Sequence, residues 1–161
     1  MHALNVRDPS AVVEILAGTP GILFPLLHEL PPNSLKKRPA PGRWSAHKNA
    51  CHLTSFDGLF ERRLDHLLSG AETEIESYRM DPTDQEGALL EVDLDRALKE
   101  FSETRPRLVD RLRQLRREDW ERPGRHEVYE KMSPFILFRH LALHDMIHTY
   151  RIEELLWRRE S

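Results

Sequence analysis

Between Ala46 and Leu67 seven apolar residues, Ala46, Ala50, Leu53, Phe56, Phe60, Leu64 and Leu67, recur at intervals of three and four. Only an α-helix brings such positions onto one face, so the stretch predicts a helix from near Ser45 to Leu68, ended by Ser69-Gly70 and turned to a core on one side. A chain committed to one such stripe needs others to cover it, and three more are present. The stretch from Asp93 to Arg117 places Leu94, Leu98, Phe101, Leu108, Leu112 and Leu115 on one face, with Pro106 predicting a kink. Ser133-Pro134, a cap before a proline at the first helical position, opens a last helix that continues to about Arg159. Asp8-Pro9 opens a first helix, which Gly18-Thr19-Pro20-Gly21 should interrupt; Thr19-Pro20 reads as a fresh start, carrying Ile22, Leu23, Leu26, Leu27 and Leu30 up to Pro31-Pro32. Residues Pro31 to Arg43 and Glu118 to Met132 read as loops, and 70–92 as polar and irregular. Val, Ile and Thr supply only 18 of the 161 residues, a composition that turns away from strands. Four amphipathic helices around one shared core make a four-helix bundle, so the expected architecture is all-α, with residues 1–161 forming a single domain.

Charge narrows the function. With 24 basic and 27 acidic residues the formal net charge is −3, which gives no general attraction to nucleic acid or an anionic membrane. The arginines of Arg105-Pro106-Arg107 and Arg111 to Arg117 alternate with Asp110, Glu118 and Asp119 and read as the solvated face of the third helix. No uninterrupted apolar run approaches the roughly 20 residues that cross a bilayer, and Met1 to Asp8 lacks the apolar core of a signal peptide. The single cysteine, Cys51, excludes an internal disulfide framework and fits a reducing cytoplasm; it faces away from its helix's stripe and reads as a bystander.

The last helix carries histidines where a plain core would have apolar residues. At 100° per residue from Leu141, His148 lies near −20° and His144 near −60°, inside the stripe of Leu137, Ile152 and Leu155, while His140 falls on its edge at about −100°. Unpartnered buried imidazoles cost on the order of 1–3 kcal/mol each, and an i, i+4 pair suits a metal ion. His52, on the shoulder of the second helix's stripe, can supply a third ligand. Three imidazoles would leave a position open for water, as in catalytic sites. His47 and His66 read as surface or edge residues. A di-iron carboxylate centre is disfavoured, because only Asp145-x-x-His148 approximates its Glu-x-x-His motif. Asp57, His140 and Asp145 lie near enough in sequence to serve as a base, although Asp57 reads as exposed and Asp145 as a neighbour of the ligands or solvated. Trp44 and Trp120 read as packing residues.

Gly42-Arg43-Trp44-Ser45 followed by His52-Leu53, the loop Trp120-Glu121-Arg122-Pro123-Gly124-Arg125-His126, and the final His144-Asp145-Met146-Ile147-His148 together resemble the DinB-like family, which includes metal-dependent hydrolases of the YfiT type. The likeness covers roughly Thr19 to Trp157. It implies a four-helix bundle in which one histidine of the second helix and two of the last, here His52, His144 and His148, hold a divalent metal, often zinc or nickel. Ile147 stands where relatives often carry a further histidine, and Arg151 where they commonly carry Gln, so Arg151 is a candidate for directing an anionic substrate group to the metal. The resemblance also implies a small-molecule substrate, a hydrolase or a thiol S-transferase with a low-molecular-weight thiol as co-substrate, and a homodimer. The alternative is a non-catalytic metal-binding or structural, stress-related bundle.

Overall fold

The computed structural model of the chain describes residues 8–79 and 87–157. Its helices are α1 (Pro9–Glu29), α2 (Ala46–Thr54), α3 (Asp57–Ser69), α4 (Ala88–Glu91), α5 (Leu94–Arg113), α6 (Arg117–Trp120) and α7 (Pro134–Trp157), with a 3₁₀ turn at Pro32–Ser34. Among the described residues there is no strand, only two isolated bridges. Helices α1, α2 with α3, α5 and α7 form the bundle: α1 packs chiefly on α7 and α5, and α2 and α3 pack on the same two from the other side. The consecutive α1 and α2 therefore sit at opposite corners, and the long segment from Leu30 to Ser45 makes the crossing.

The stripe of the second long helix lies where its spacing put it, since all seven of its apolar residues are buried. The helix itself is not continuous. Thr54 and Ser55 turn their hydroxyls back to the carbonyls of Cys51 (3.2 Å) and His52 (2.7 Å), and such bonds compete with the backbone ladder. Asp57 then opens α3 with its carboxylate inside the protein, not in solvent as expected.

The first helix departs from expectation in the opposite sense. It runs unbroken through Gly18-Thr19-Pro20-Gly21 and Pro25 to Glu29. A proline inside a helix strips the hydrogen bond from the carbonyl four residues earlier. For Pro20 that carbonyl is Leu16, and the guanidinium of Arg105 on α5 donates to it at 3.2 Å, so the orphan is satisfied from a neighbouring helix. By length and a mean hydropathy of 1.7 alone, α1 could cross a membrane. The uninterrupted-run criterion missed this because Glu14 and His28 lie within it. Here α1 buries Val12, Val13, Leu16, Leu23 and Leu27 in the bundle.

The end of the third long helix was placed too late: α5 stops at Arg113, and Arg117–Trp120 form the separate turn α6. Asp93 accepts from the N–H of Arg96 (3.0 Å) as its N-cap. The last helix starts at Pro134 as expected, with Ser133 Oγ accepting from the Ile136 N–H (3.3 Å); its expected continuation to Arg159 lies outside the described residues. The 70–92 region is mostly irregular but not merely polar. Ile75 is buried and pairs with the later loop, its N–H donating to the Arg125 carbonyl (2.9 Å) while its own carbonyl accepts from Glu127 (3.0 Å). Gly87 to Val92, expected irregular, enclose the short α4, with Leu89 buried; residues 80–86 lie outside the described part.

The core divides into two apolar clusters. One gathers Leu16, Phe60, Leu64, Leu108, Phe138 and Leu141, and the other Leu23, Leu53, Phe101 and Ile152. Each bundle helix contributes one buried polar residue at the level between them: Thr19, Asp57, Arg105 and Asp145. Arg105, only 1% exposed, is thus at the centre of the molecule and not on a solvated face. Its Nε and Nη2 donate to Asp57 at 2.8–3.2 Å, and its Nη1 donates to Asp145 as well as to Leu16. Thr19 donates to Asp145 (2.9 Å) and Thr104 to Asp57 (3.1 Å), and the guanidinium lies 4.5 Å from the centre of the Phe101 ring.

Candidate metal centre

Beside the polar layer, α2 and α7 bring three imidazoles together. His52, His144 and His148 each offer a ring nitrogen, all lying within 4.8 Å of one another. The Nε2 atoms of His52 and His144 are 3.1 Å apart. Two nitrogens bound at 2.0–2.1 Å to a tetrahedral metal stand about 3.3 Å apart, so the spacing is that of ligands sharing an ion. The residues expected from α7 face inward as the angular count put them, with His148 buried and His144 half-buried.

The ring of His148 is held in one orientation. Its Nδ1 meets Asn49 Oδ1 at 2.7 Å, and the Asn49 amide nitrogen donates to the Ser45 carbonyl at 2.9 Å. The amide is fixed with its oxygen toward the imidazole, so Nδ1 carries the proton and Nε2 keeps its lone pair. Burial lowers the pKa of all three rings. His52 falls to about 4, with the neighbouring His144, Lys48 and Arg151 adding to the effect. His144 also falls to about 4, through burial, then Arg105 and Arg151, and His148 to about 2, through burial, then its two partners and Arg151. All three are therefore neutral at pH 7, the state that binds a metal. Nδ1 of His144 is buried without a hydrogen-bond partner.

Aromatic rings enclose the cluster. Trp44 stacks on His148 with centroids 5.7 Å apart and meets His52 edge-on at 5.0 Å, while Phe56 lies 4.7 Å from His52 and 4.5 Å from His144. Trp44 is consequently a wall of the site, whereas Trp120, buried against Phe138, is a packing residue as expected. The histidines open onto a cleft of about 600 Å³ whose wall also includes Tyr78, from the segment expected to be polar and irregular. Arg151 lines the cleft, is exposed, and makes no ion pair with any described carboxylate, as a candidate for meeting an anionic group should.

Other sequence candidates fall elsewhere. Asp145 is buried on Arg105 and Thr19, and Asp57 on Arg105, so neither reaches the cleft as a base. His140 is half-buried and does line it. His47 is buried, contrary to its reading as a surface or edge residue, because α4 and the start of α5 cover α2 on that side. His66 is half-buried with its Nε2 2.8 Å from the Thr73 carbonyl. Cys51 does face away from the stripe but is buried, which pushes its thiol up to about 11 and keeps it inert. Asn49 was not singled out from sequence. Its signal is that it stands one turn before His52 on the same face of α2.

A helical bundle with a cluster of neutral imidazoles, opening on an aromatic cleft, defines a class of protein able to hold a divalent cation. The profile of the DinB superfamily matches residues 15–152, and the chain belongs to that superfamily. It is similar in fold to a solved structure described as "YfiT from Bacillus subtilis is a probable metal-dependent hydrolase with an unusual four-helix bundle topology", with a TM-score of 0.78 at 17% identity, covering 96% of this chain and 89% of that one. No curated protein matches.

Proposed function

We propose that the chain is a metal-dependent enzyme of the hydrolase or thiol S-transferase type, working in the cytoplasm on a small molecule. The observation that carries the reading is the set of three neutral imidazoles, His52, His144 and His148, gathered within 4.8 Å at the floor of an open cleft. These residues would hold zinc or nickel, both of which accept nitrogen ligands. Such an ion, when bound, lowers the pKa of water or of a thiol and polarises a substrate oxygen.

The chain's own groups supply the rest. Asn49 holds His148 in the ligating tautomer through Nδ1. Trp44 and Phe56 exclude water from the sides of the cluster, so charge developing there is screened less than in bulk solvent. Arg151 sets a cation at the rim, able to draw an anionic substrate or thiol co-substrate inward. A homodimer belongs to the same reading, supported by the exposed apolar row Leu143, Met146, Ile147 and Tyr150 on α7, and is tested by light scattering.

The decisive experiment is elemental analysis of purified protein, wild type beside His148→Ala, before and after reconstitution with zinc or nickel. Near-stoichiometric metal that the variant loses supports the site and justifies screening thiols, esters and amides. Wild-type protein that takes up neither metal overturns it.

A further inference from the structure

The far end of the cleft holds a second polar group that the proposed reaction leaves unused. Arg63 on α3 is half-buried, with its guanidinium 5.6 Å from the centre of the Phe60 ring and Nη2 donating to the Glu76 carbonyl at 2.7 Å. No described carboxylate lies within ion-pair distance of it, and burial alone lowers its pKa. A half-buried guanidinium that faces a cavity and has no counter-ion among the described residues is suited to bind an anion.

Two histidines stand with it. His126 accepts from the backbone N–H groups of Val128 (3.1 Å) and Tyr129 (3.3 Å) through Nδ1, so its neutral ring carries the proton on Nε2 as a donor. The Tyr129 ring lies between His126 (4.7 Å) and His140 (5.1 Å). Burial lowers the pKa of both histidines, and Arg63 lowers that of His126 further. Among the described residues, the carboxylates whose charge bears on His126 are already engaged: Glu127 accepts from the Ser77 N–H (3.0 Å) and pairs with Arg79, and Glu74 pairs with Arg125 (3.1 Å). The loop is pinned at Gly124, where any Cβ would run into Leu67.

Among the described residues no carboxylate lines the cleft, although the chain as a whole is net negative. Between the histidine cluster and Arg63 its walls are apolar, formed by Phe56, Phe60, Met132 and Leu137. We propose that Arg63, with His126 and His140, is an oxyanion-binding subsite, and that the substrate is an amphiphilic anion with its head group at Arg63, an apolar body against the phenylalanines and its reacting group at the three histidines. This deepens the proposed function and rests on it only for the location of the reacting group.

The test uses full-length protein freed of metal with chelator, so that binding is read apart from metal uptake. Phenylphosphonate is titrated at about pH 7.5 and low salt, followed by calorimetry and by histidine side-chain NMR. Saturable binding should shift the resonances of His126 and His140, weaken with added salt, and fall at least about tenfold in Arg63→Gln, with partial retention in Arg63→Lys; Arg151→Gln should weaken it less than Arg63→Gln does. Benzoate run in parallel tells a carboxylate head from a phosphate-like one by which of the two binds tighter. Shifts confined to His52, His144 and His148, Arg63→Gln binding within twofold of wild type, or no saturable binding of either anion would overturn the subsite. Wild-type NMR carries the result even if Arg63→Gln fails to fold. Protein that binds phenylphosphonate at Arg63 yet takes up no metal loses the metal reading and keeps the subsite.

Discussion

Asp145 and His144 are consecutive on α7, yet they belong to polar regions built on opposite rules. Around Asp145 the donors are committed: five hydrogen bonds from Arg105 reach Asp57, Asp145 and the carbonyl that Pro20 orphans, and Thr19 and Thr104 add their hydroxyls. Around His144 they are not. Its Nδ1 has no partner, its Nε2 faces another imidazole nitrogen, and the rings border a cavity. The first region joins four helices, and the second leaves room for a ligand. Burial of polar groups does not by itself mark function, nor does a single unpartnered atom, since Asp145 Oδ1 also lacks a partner but is sealed in the core; lone pairs left uncommitted at the wall of an open cleft do.

Substitutions should separate the two regions by their effects. Arg105→Met leaves two carboxylates buried without a cation, an expected loss of about 3–5 kcal/mol and a melting temperature lower by about 10 °C or more. Calorimetry checks this, and the further changes Asp57→Leu and Asp145→Leu should recover much of the loss. His148→Ala should do the reverse, abolishing stoichiometric zinc in elemental analysis while the metal-free protein melts within about 3 °C of wild type. Equal destabilisation by the two would erase the distinction.

Asn49→Ala should weaken zinc by about 10–100-fold in competition with a chromophoric chelator, since it frees the His148 tautomer without removing a ligand. A smaller expected effect is the pH profile of the metal-free protein. The unfolded chain protonates His52 and His144 near 6.5, whereas the folded one does so near 4. As pH falls from about 6.5 to 4 the unfolded state takes up protons that the folded state refuses, so stability should decline over that window, and His148, which resists protonation down to about 2, continues the decline more gently below it. Denaturant melts in His52→Gln should show a shallower slope, and an unchanged slope would count against neutral buried rings. Smallest is Thr19→Val, which removes one donor from Asp145 and should cost about 1 kcal/mol in chemical denaturation.

Much of this was legible in spacing. The four apolar stripes gave the bundle, and their direction selected His144 and His148 before any contact was known. The polar layer was legible too, had the gaps been read: Leu16-Thr19-Leu23, Leu53-Asp57-Phe60, Phe101-Arg105-Leu108 and Leu141-Asp145-His148 all keep the three-and-four rhythm, with a polar residue on the inward line. Arg105 was assigned to the solvated face because its arginine-rich surroundings outweighed its own register. Asp57 was missed for the same reason, as a charged residue taken to be exposed.

Local pattern decided the helices, their inward faces and the direction of His144 and His148, because a 3.6-residue period and side-chain type are properties of the chain alone. Tertiary structure decided the rest. Whether α1 would break at Pro20 depended on a guanidinium 89 residues away reaching Leu16. Whether Asp57 faced solvent or the core depended on the same arginine. The cleft required Ile75 to pair with the loop at Arg125 and Glu127, which brings Tyr78 and His126 over the histidines from segments without periodicity. Such long-range partners are chosen by packing and charge compensation between elements, and no window of sequence contains both members of the pair.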